Sequence, residues 1–132
     1  MASTRRFAAV AAALIFFGCD HQPTLPPVPL LGVVVGTITR PTGAPALASV
    51  KSVAALDSCG TAAQNTLGGI PLVTDSLGRY SQLILAEPPA SEACVRIIAN
   101  DYLQPDDSVV SAVVHVPLAP RSDTVRVDLI LP

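Results

Sequence analysis

The sequence predicts an all-β protein of two packed sheets, and three observations carry that prediction. Short apolar runs with period two recur from residue 31 onward; clusters of Gly, Pro, Asp or Ser interrupt them every eight to fifteen residues; no stretch shows the 3.6-residue periodicity of an amphipathic helix. The supply of core residues agrees. Half of the 132 residues are hydrophobic, yet aromatics make up only 4 % and tryptophan is absent, so the core is to be built from Val, Leu, Ile and Ala. Such side chains suit small, closely stacked sheets.

Taken in chain order, the first eighteen residues read as an export signal. Arg5 and Arg6 give the positive start, and residues 7–17 contain only Phe, Ala, Val, Leu and Ile. Eleven such residues fall short of the roughly 20 that a membrane-spanning helix needs. Leu14-Ile15-Phe16-Phe17-Gly18-Cys19 resembles a bacterial lipobox, which makes Cys19 the expected lipidation site. Its thiol would take a diacylglyceryl group and its freed amine a further acyl chain. At roughly 0.8 kcal/mol per buried methylene, two or three chains anchor stably. Asp20 to Leu30 contains four prolines. This reads as an extended tether, holding the domain some 30 Å from the lipid at about 3.1 Å per residue. His21 within it reads as a solvated linker residue.

The domain proper is expected over 31–132, with strands at Gly32–Thr39, Ser49–Leu56, Pro71–Thr74, Arg79–Ala86 and Ala93–Ala99. Two more complete a set of about seven. In one, Val110, Ala112, Val114 and Val116 alternate with Val109, Ser111, Val113 and His115. In the other, Val125, Val127, Leu129 and Leu131 alternate with Thr124, Arg126, Asp128 and Ile130. Seven strands in about a hundred residues imply a β-sandwich. Pro41-Thr42-Gly43-Ala44-Pro45 and Asp75-Ser76-Leu77-Gly78 read as turns between consecutive strands, the second with an Asx-type start. Gly36, inside an apolar run, signals a bulge or a close backbone approach.

Cysteine use fits an exported protein. With Cys19 committed to lipid, Cys59 and Cys94 remain as one pair in an oxidising compartment, where a disulfide is expected. Closing a loop of about 35 residues would stabilise the fold by roughly 3 to 4 kcal/mol in the chain-entropy model. A thiolate nucleophile or metal ligand is the alternative, but neither cysteine has a histidine close in sequence and their spacing fits no zinc motif.

Charge excludes one class of partner. Once the signal is removed, six basic residues face ten acidic ones, a formal charge of −4, and the basic residues are scattered singly at 40, 51, 79, 96, 121 and 126. Nucleic-acid binding needs them clustered. Carbohydrate platforms need exposed aromatics, and all three Phe lie in the signal, leaving Tyr80 and Tyr102.

Three stretches resemble the carboxypeptidase regulatory-like, transthyretin-related family: Val34-Val35-Gly36-Thr37-Ile38; Gly43-Ala44-Pro45 leading to Ala48-Ser49-Val50; and Thr74-Asp75-Ser76-Leu77-Gly78-Arg79-Tyr80-Ser81. Val95, Ile97, Ala99 and Tyr102 continue the pattern, which spans nearly all of the mature domain. The resemblance implies a seven-stranded, prealbumin-like Greek-key β-sandwich. Where the family usually has glycine before the late tyrosine, this chain has Asp101. Transthyretin relatives that hydrolyse hydroxyisourate end in Tyr-Arg-Gly-Ser. This chain ends Asp128-Leu129-Ile130-Leu131-Pro132, and the resemblance argues against that activity.

Residues that could carry chemistry are few. His115 and Ser111 lie four positions apart on one strand, about 13 Å in extended chain, too far for a base and its nucleophile. Asp101, Asp106 and Asp107 share one loop and are weak candidates for a calcium site, though a solvated acidic turn is the simpler reading. Glu87 and Glu92 flank Pro88 and Pro89 in what reads as a hairpin tip, a poor place for a catalytic carboxylate pair. The expected function is a non-catalytic module without a cofactor, lipid-anchored to a bacterial membrane at the periplasmic face or cell surface. It would bind an envelope protein or act as a scaffold; the alternative is a small-molecule or glycan-binding accessory domain.

Overall fold

The computed structural model describes residues 24–56, 66–121 and 123–132. The expected signal, Cys19 and Cys59 fall outside them. Ten strands form two sheets, with no helix among the described residues: β1 (Leu30–Thr39), β2 (Ala48–Leu56), β3 (Thr66–Gly68), β4 (Leu72–Val73), β5 (Arg79–Ala86), β6 (Glu92–Asp101), β7 (Ser108–Val110), β8 (Val114–Pro117), β9 (Asp123–Arg126) and β10 (Leu129–Ile130). In the first sheet β1 is central, antiparallel to β5 on one side and parallel to β9 and β10 on the other. In the second, β2 and β6 pair along their whole length, flanked by β3 and β4 beyond β2 and by β7 and β8 beyond β6.

The period-two pattern explains how the sheets face each other. β5 alternates strictly between exposed and buried positions, sending Tyr80, Gln82, Ile84 and Ala86 inward. These meet Val34 and Ile38 of β1, and Val50, Ala54, Val95, Ile97 and Ala99 of the second sheet, in one continuous core. Alanines at 48, 54, 93 and 99 are fully or almost fully buried. With Tyr80 as the core's one aromatic among the described residues, these small side chains fill positions that larger ones would otherwise take. Leu30, grouped with the tether by sequence, already pairs with Ala86. The preceding residues 24–29 are exposed and belong to neither sheet.

Both turns read from the sequence are present. Gly43 has φ 84° and Gly78 φ 72°, and the Asp75 carboxylate accepts the Leu77 N–H at 2.9 Å. Gly78 is constrained twice, because a Cβ there would also stand 2.3 Å from the Ile38 carbonyl oxygen. At Gly36 the backbone approach is closer still. A Cβ would sit 1.7 Å from the Val127 carbonyl oxygen, and the Tyr80 hydroxyl donates to that same oxygen.

Two strands expected to be continuous are split, for different reasons. From β7 to β8 the register against β6 slips by one residue: Ile98 lies opposite Val110, whereas Cys94 lies opposite His115. The extra residue falls within 111–113 and reverses the inward face. Val109 therefore packs on the core while Val110 is exposed, and Val116 turns inward. The Ser111 hydroxyl fills the gap in the ladder, accepting the Ile97 N–H at 2.9 Å and donating to the Ala112 carbonyl. Between β9 and β10 the register is kept, but the Asp128 side chain replaces a ladder carbonyl by accepting the Thr37 N–H at 2.8 Å. β3, which periodicity does not mark, and β4 show the same one-residue slip against β2, through Gly69 to Pro71. The segment from Glu87 to Ser91, expected as a hairpin tip, crosses between sheets instead, since β5 pairs with β1 and β6 with β2.

Candidate functional site

The sequence-marked residues do not converge on one site. Asp101 is buried, and its carboxylate accepts the backbone N–H groups of Leu103 at 2.7 Å and Gln104 at 3.0 Å and pairs with Arg40. Those two N–H bonds, with Arg40 beside them, hold the Asp101 carboxyl below the usual carboxylate range. Arg40 also donates to the Pro132 carbonyl, so Asp101 ties the loop after β6 to the C-terminal end of the chain. Asp106 and Asp107 belong to that loop. There the Asp107 carbonyl accepts the Asp101 N–H and the Asp107 N–H donates to Gln104.

The grouping of potential metal ligands among the described residues is a different one: Glu92, Cys94 and His115, whose ligand atoms lie within 4.8 Å of one another. Its geometry follows from the β6–β8 register, which puts Cys94 opposite His115. Period-two spacing places Glu92 on the same side of β6 as Cys94. The His115 Nδ1 stands 3.5 Å from the Glu92 carboxylate, and both side chains are about half exposed. All three residues are already engaged with partners. Sequence reasoning missed the trio because the strand register, not chain proximity, brings His115 to Cys94. Ser111, considered as a partner for His115, is instead committed to the β6 ladder.

A cleft of about 400 Å³ opens between the two sheets where β5 faces β3 and β4. Its floor is polar and internally satisfied. The Ser52 hydroxyl donates to Gln82 Oε1 at 3.2 Å, and Gln82 Nε2 donates to the Val50 carbonyl at 3.0 Å and to that of Ile70 at 3.4 Å. The rim is apolar, with Ile70, Leu72, Leu83 and Leu85 about half exposed or more. Such a cleft suits an apolar side chain or small apolar group more than a charged one. Among the described residues no aromatic lines it, since Tyr80 is buried beneath the first sheet and Tyr102 lies beyond β6.

No protein-family model, curated protein or solved structure matches the chain.

Proposed function

We propose that this chain is a lipid-anchored, non-catalytic module of the bacterial cell envelope, held by Cys19 and presenting a prealbumin-like sandwich to a protein partner. The single observation that carries this reading is the run Arg5-Arg6, eleven apolar residues and Gly18-Cys19, followed at once by a proline-rich tether. The exposed backbone of residues 24–29, leading directly into β1, supports a tether that ends where the domain begins.

The Greek-key assignment draws support from lane order. Counting β3 with β4, β7 with β8, and β9 with β10 leaves seven lanes, three in the first sheet and four in the second. Consecutive lanes change sheet at β1 to β2, at β4 to β5, at β5 to β6 and at β8 to β9. A Cys59–Cys94 disulfide belongs to the same reading, as a staple joining the segment after β2 to β6. The cleft supports a binding reading, because its apolar rim suits an apolar group and the Ser52 and Gln82 side chains on its floor are bonded to each other. The glycan-binding alternative draws less support from a cleft without aromatic lining.

Mass spectrometry of the native chain tests the anchor. The expected product begins at Cys19, carries thioether-linked and amide-linked acyl chains, and leaves the membrane fraction in the Cys19→Ala form. An unmodified sulfur at residue 19 overturns it. Alkylation with and without reductant tests the staple in the same sample.

A further inference from the structure

β5 differs from every other sheet edge among the described residues. The outer lane beyond β2 is split into β3 and β4, that beyond β6 into β7 and β8, and that beyond β1 into β9 and β10, no piece being longer than four residues. Short, slipped or interrupted edges are how monomeric β proteins avoid pairing with other chains. β5 is eight residues long and keeps one register against β1 from Arg79 to Ala86. It contains no proline, and its one charge, Arg79, stands at its start.

The free hydrogen-bonding groups of this edge can be assigned. Ile38 N–H donates to the Gly78 carbonyl at 2.8 Å, and Ile38 and Gly78 are opposite one another in the β1–β5 register, so even-numbered β5 residues face β1. Thr37 N–H and the Val35 carbonyl point the other way, toward Asp128 and Val127, as this alternation requires. Ser81, Leu83 and Leu85 therefore direct their N–H and C=O groups to the open edge. Arg79 does so too, but its N–H and carbonyl are taken up by Asp75 in the turn. The side chains of Leu83 and Leu85 are 54 % and 53 % exposed.

We propose that β5 is the docking edge for a second copy of this chain, which pairs antiparallel to it about a two-fold axis at Leu83 and joins the two first sheets into one. In that register Leu83 lies opposite its own counterpart and Ser81 opposite Leu85 of the second copy. The three pairs exchange six backbone hydrogen bonds. Arg79 falls opposite Glu87, so the guanidinium, whose Nε already donates to Asp75 at 2.7 Å, meets the exposed carboxylate of the second copy with its remaining N–H groups, twice over. The four leucines 83 and 85 then form one apolar stripe across the axis. A two-fold pairing closes on itself and uses up the one long regular edge of each copy, leaving the interrupted edges outermost. The inference is independent of the lipid anchor, and it places the second copy along the Leu83 and Leu85 rim of the cleft.

Disulfide trapping on the full chain in detergent tests it. Residues paired across the axis have Cα atoms about 5.5 Å apart, within disulfide range, whereas Ser81 and its own counterpart stand about 14 Å apart. The Leu83→Cys chain is expected to run as a covalent dimer without reductant, and the Ser81→Cys chain is not. Leu83→Lys should convert the sedimenting species from dimer to monomer with an unchanged circular-dichroism spectrum. Equal trapping at both positions, as mere sharing of a micelle would give, overturns the proposal. So does a wild-type monomer, or a Leu83→Cys adduct with a different envelope protein.

Discussion

The two edges of the first sheet are built to opposite ends. On the β9–β10 side the outer lane is broken at 127–128, where Asp128 turns to β1 to accept the Thr37 N–H and receives Arg126 Nε at 2.8 Å, so that edge offers no regular run longer than four residues. On the β5 side Ser81, Leu83 and Leu85 leave three consecutive outward pairs of backbone groups with no described strand beyond them. The first edge is stable because it is interrupted. The second is regular, and regularity is what a pairing partner needs. The second sheet repeats the first solution on both sides with one-residue slips, at Gly69 to Pro71 and within 111–113.

This contrast can be broken most severely at Gly36, where β1 meets the interrupted lane. The Gly36→Ala side chain has backbone atoms of Val127 in its way, and the two strands must part. A loss above about 4 kcal/mol is expected, seen as little folded protein or a collapse of the chemical-denaturation midpoint. A smaller effect is expected at the slip. Ser111→Ala leaves the Ile97 N–H without its hydroxyl acceptor and should cost about 1 to 3 kcal/mol by the same measurement.

Acid sharpens the comparison further. Arg126, then Thr37, hold the Asp128 carboxyl below its usual range, and the Arg79 backbone and guanidinium N–H groups do the same for Asp75. Because the folded values lie below the unfolded ones, the unfolded chain takes up protons first. The stabilisation is complete above about pH 4 and is lost as pH falls through the folded values. Asp128→Asn should flatten part of that acid limb in a pH series of denaturation midpoints. At the alkaline end, burial and then the Asp128 charge raise the Tyr80 phenol, so its contribution is lost only as pH climbs beyond about 10. The smallest effect on the fold is expected at β5 itself. Leu83→Lys sits on an exposed face and should shift monomer stability by no more than about 0.5 kcal/mol, whatever it does to association.

How far the sequence discloses this design depends on the range of the interaction. β5 was legible at both ends because Gly78 starts it, strict alternation runs through it and Glu87-Pro88-Pro89 follows it. The Asp75 turn was legible for the same local reason. The slip within 111–113 was not, since Val110, Ala112, Val114 and Val116 keep an unbroken alternation across the point where the inward face reverses. Only the pairing with β6 discloses the extra residue. Periodicity marked no strand at 66–68, and the three residues of β3 are defined by their pairing with β2. The Glu92, Cys94 and His115 trio depends on the same β6–β8 register. Asp101 read as one member of an acidic loop; its burial under Arg40 comes from contacts 61 positions apart. The N-terminal anchor and Cys59 rest on sequence signals alone.

Amide hydrogen exchange along β5, followed as protein concentration rises, tests the contrast most directly. Gln82 and Ile84, bonded to β1, should be protected at every concentration, while Ser81, Leu83 and Leu85 gain protection only as the chain associates. Odd-numbered amides that exchange as fast as those of residues 24–29 at all concentrations would contradict the account.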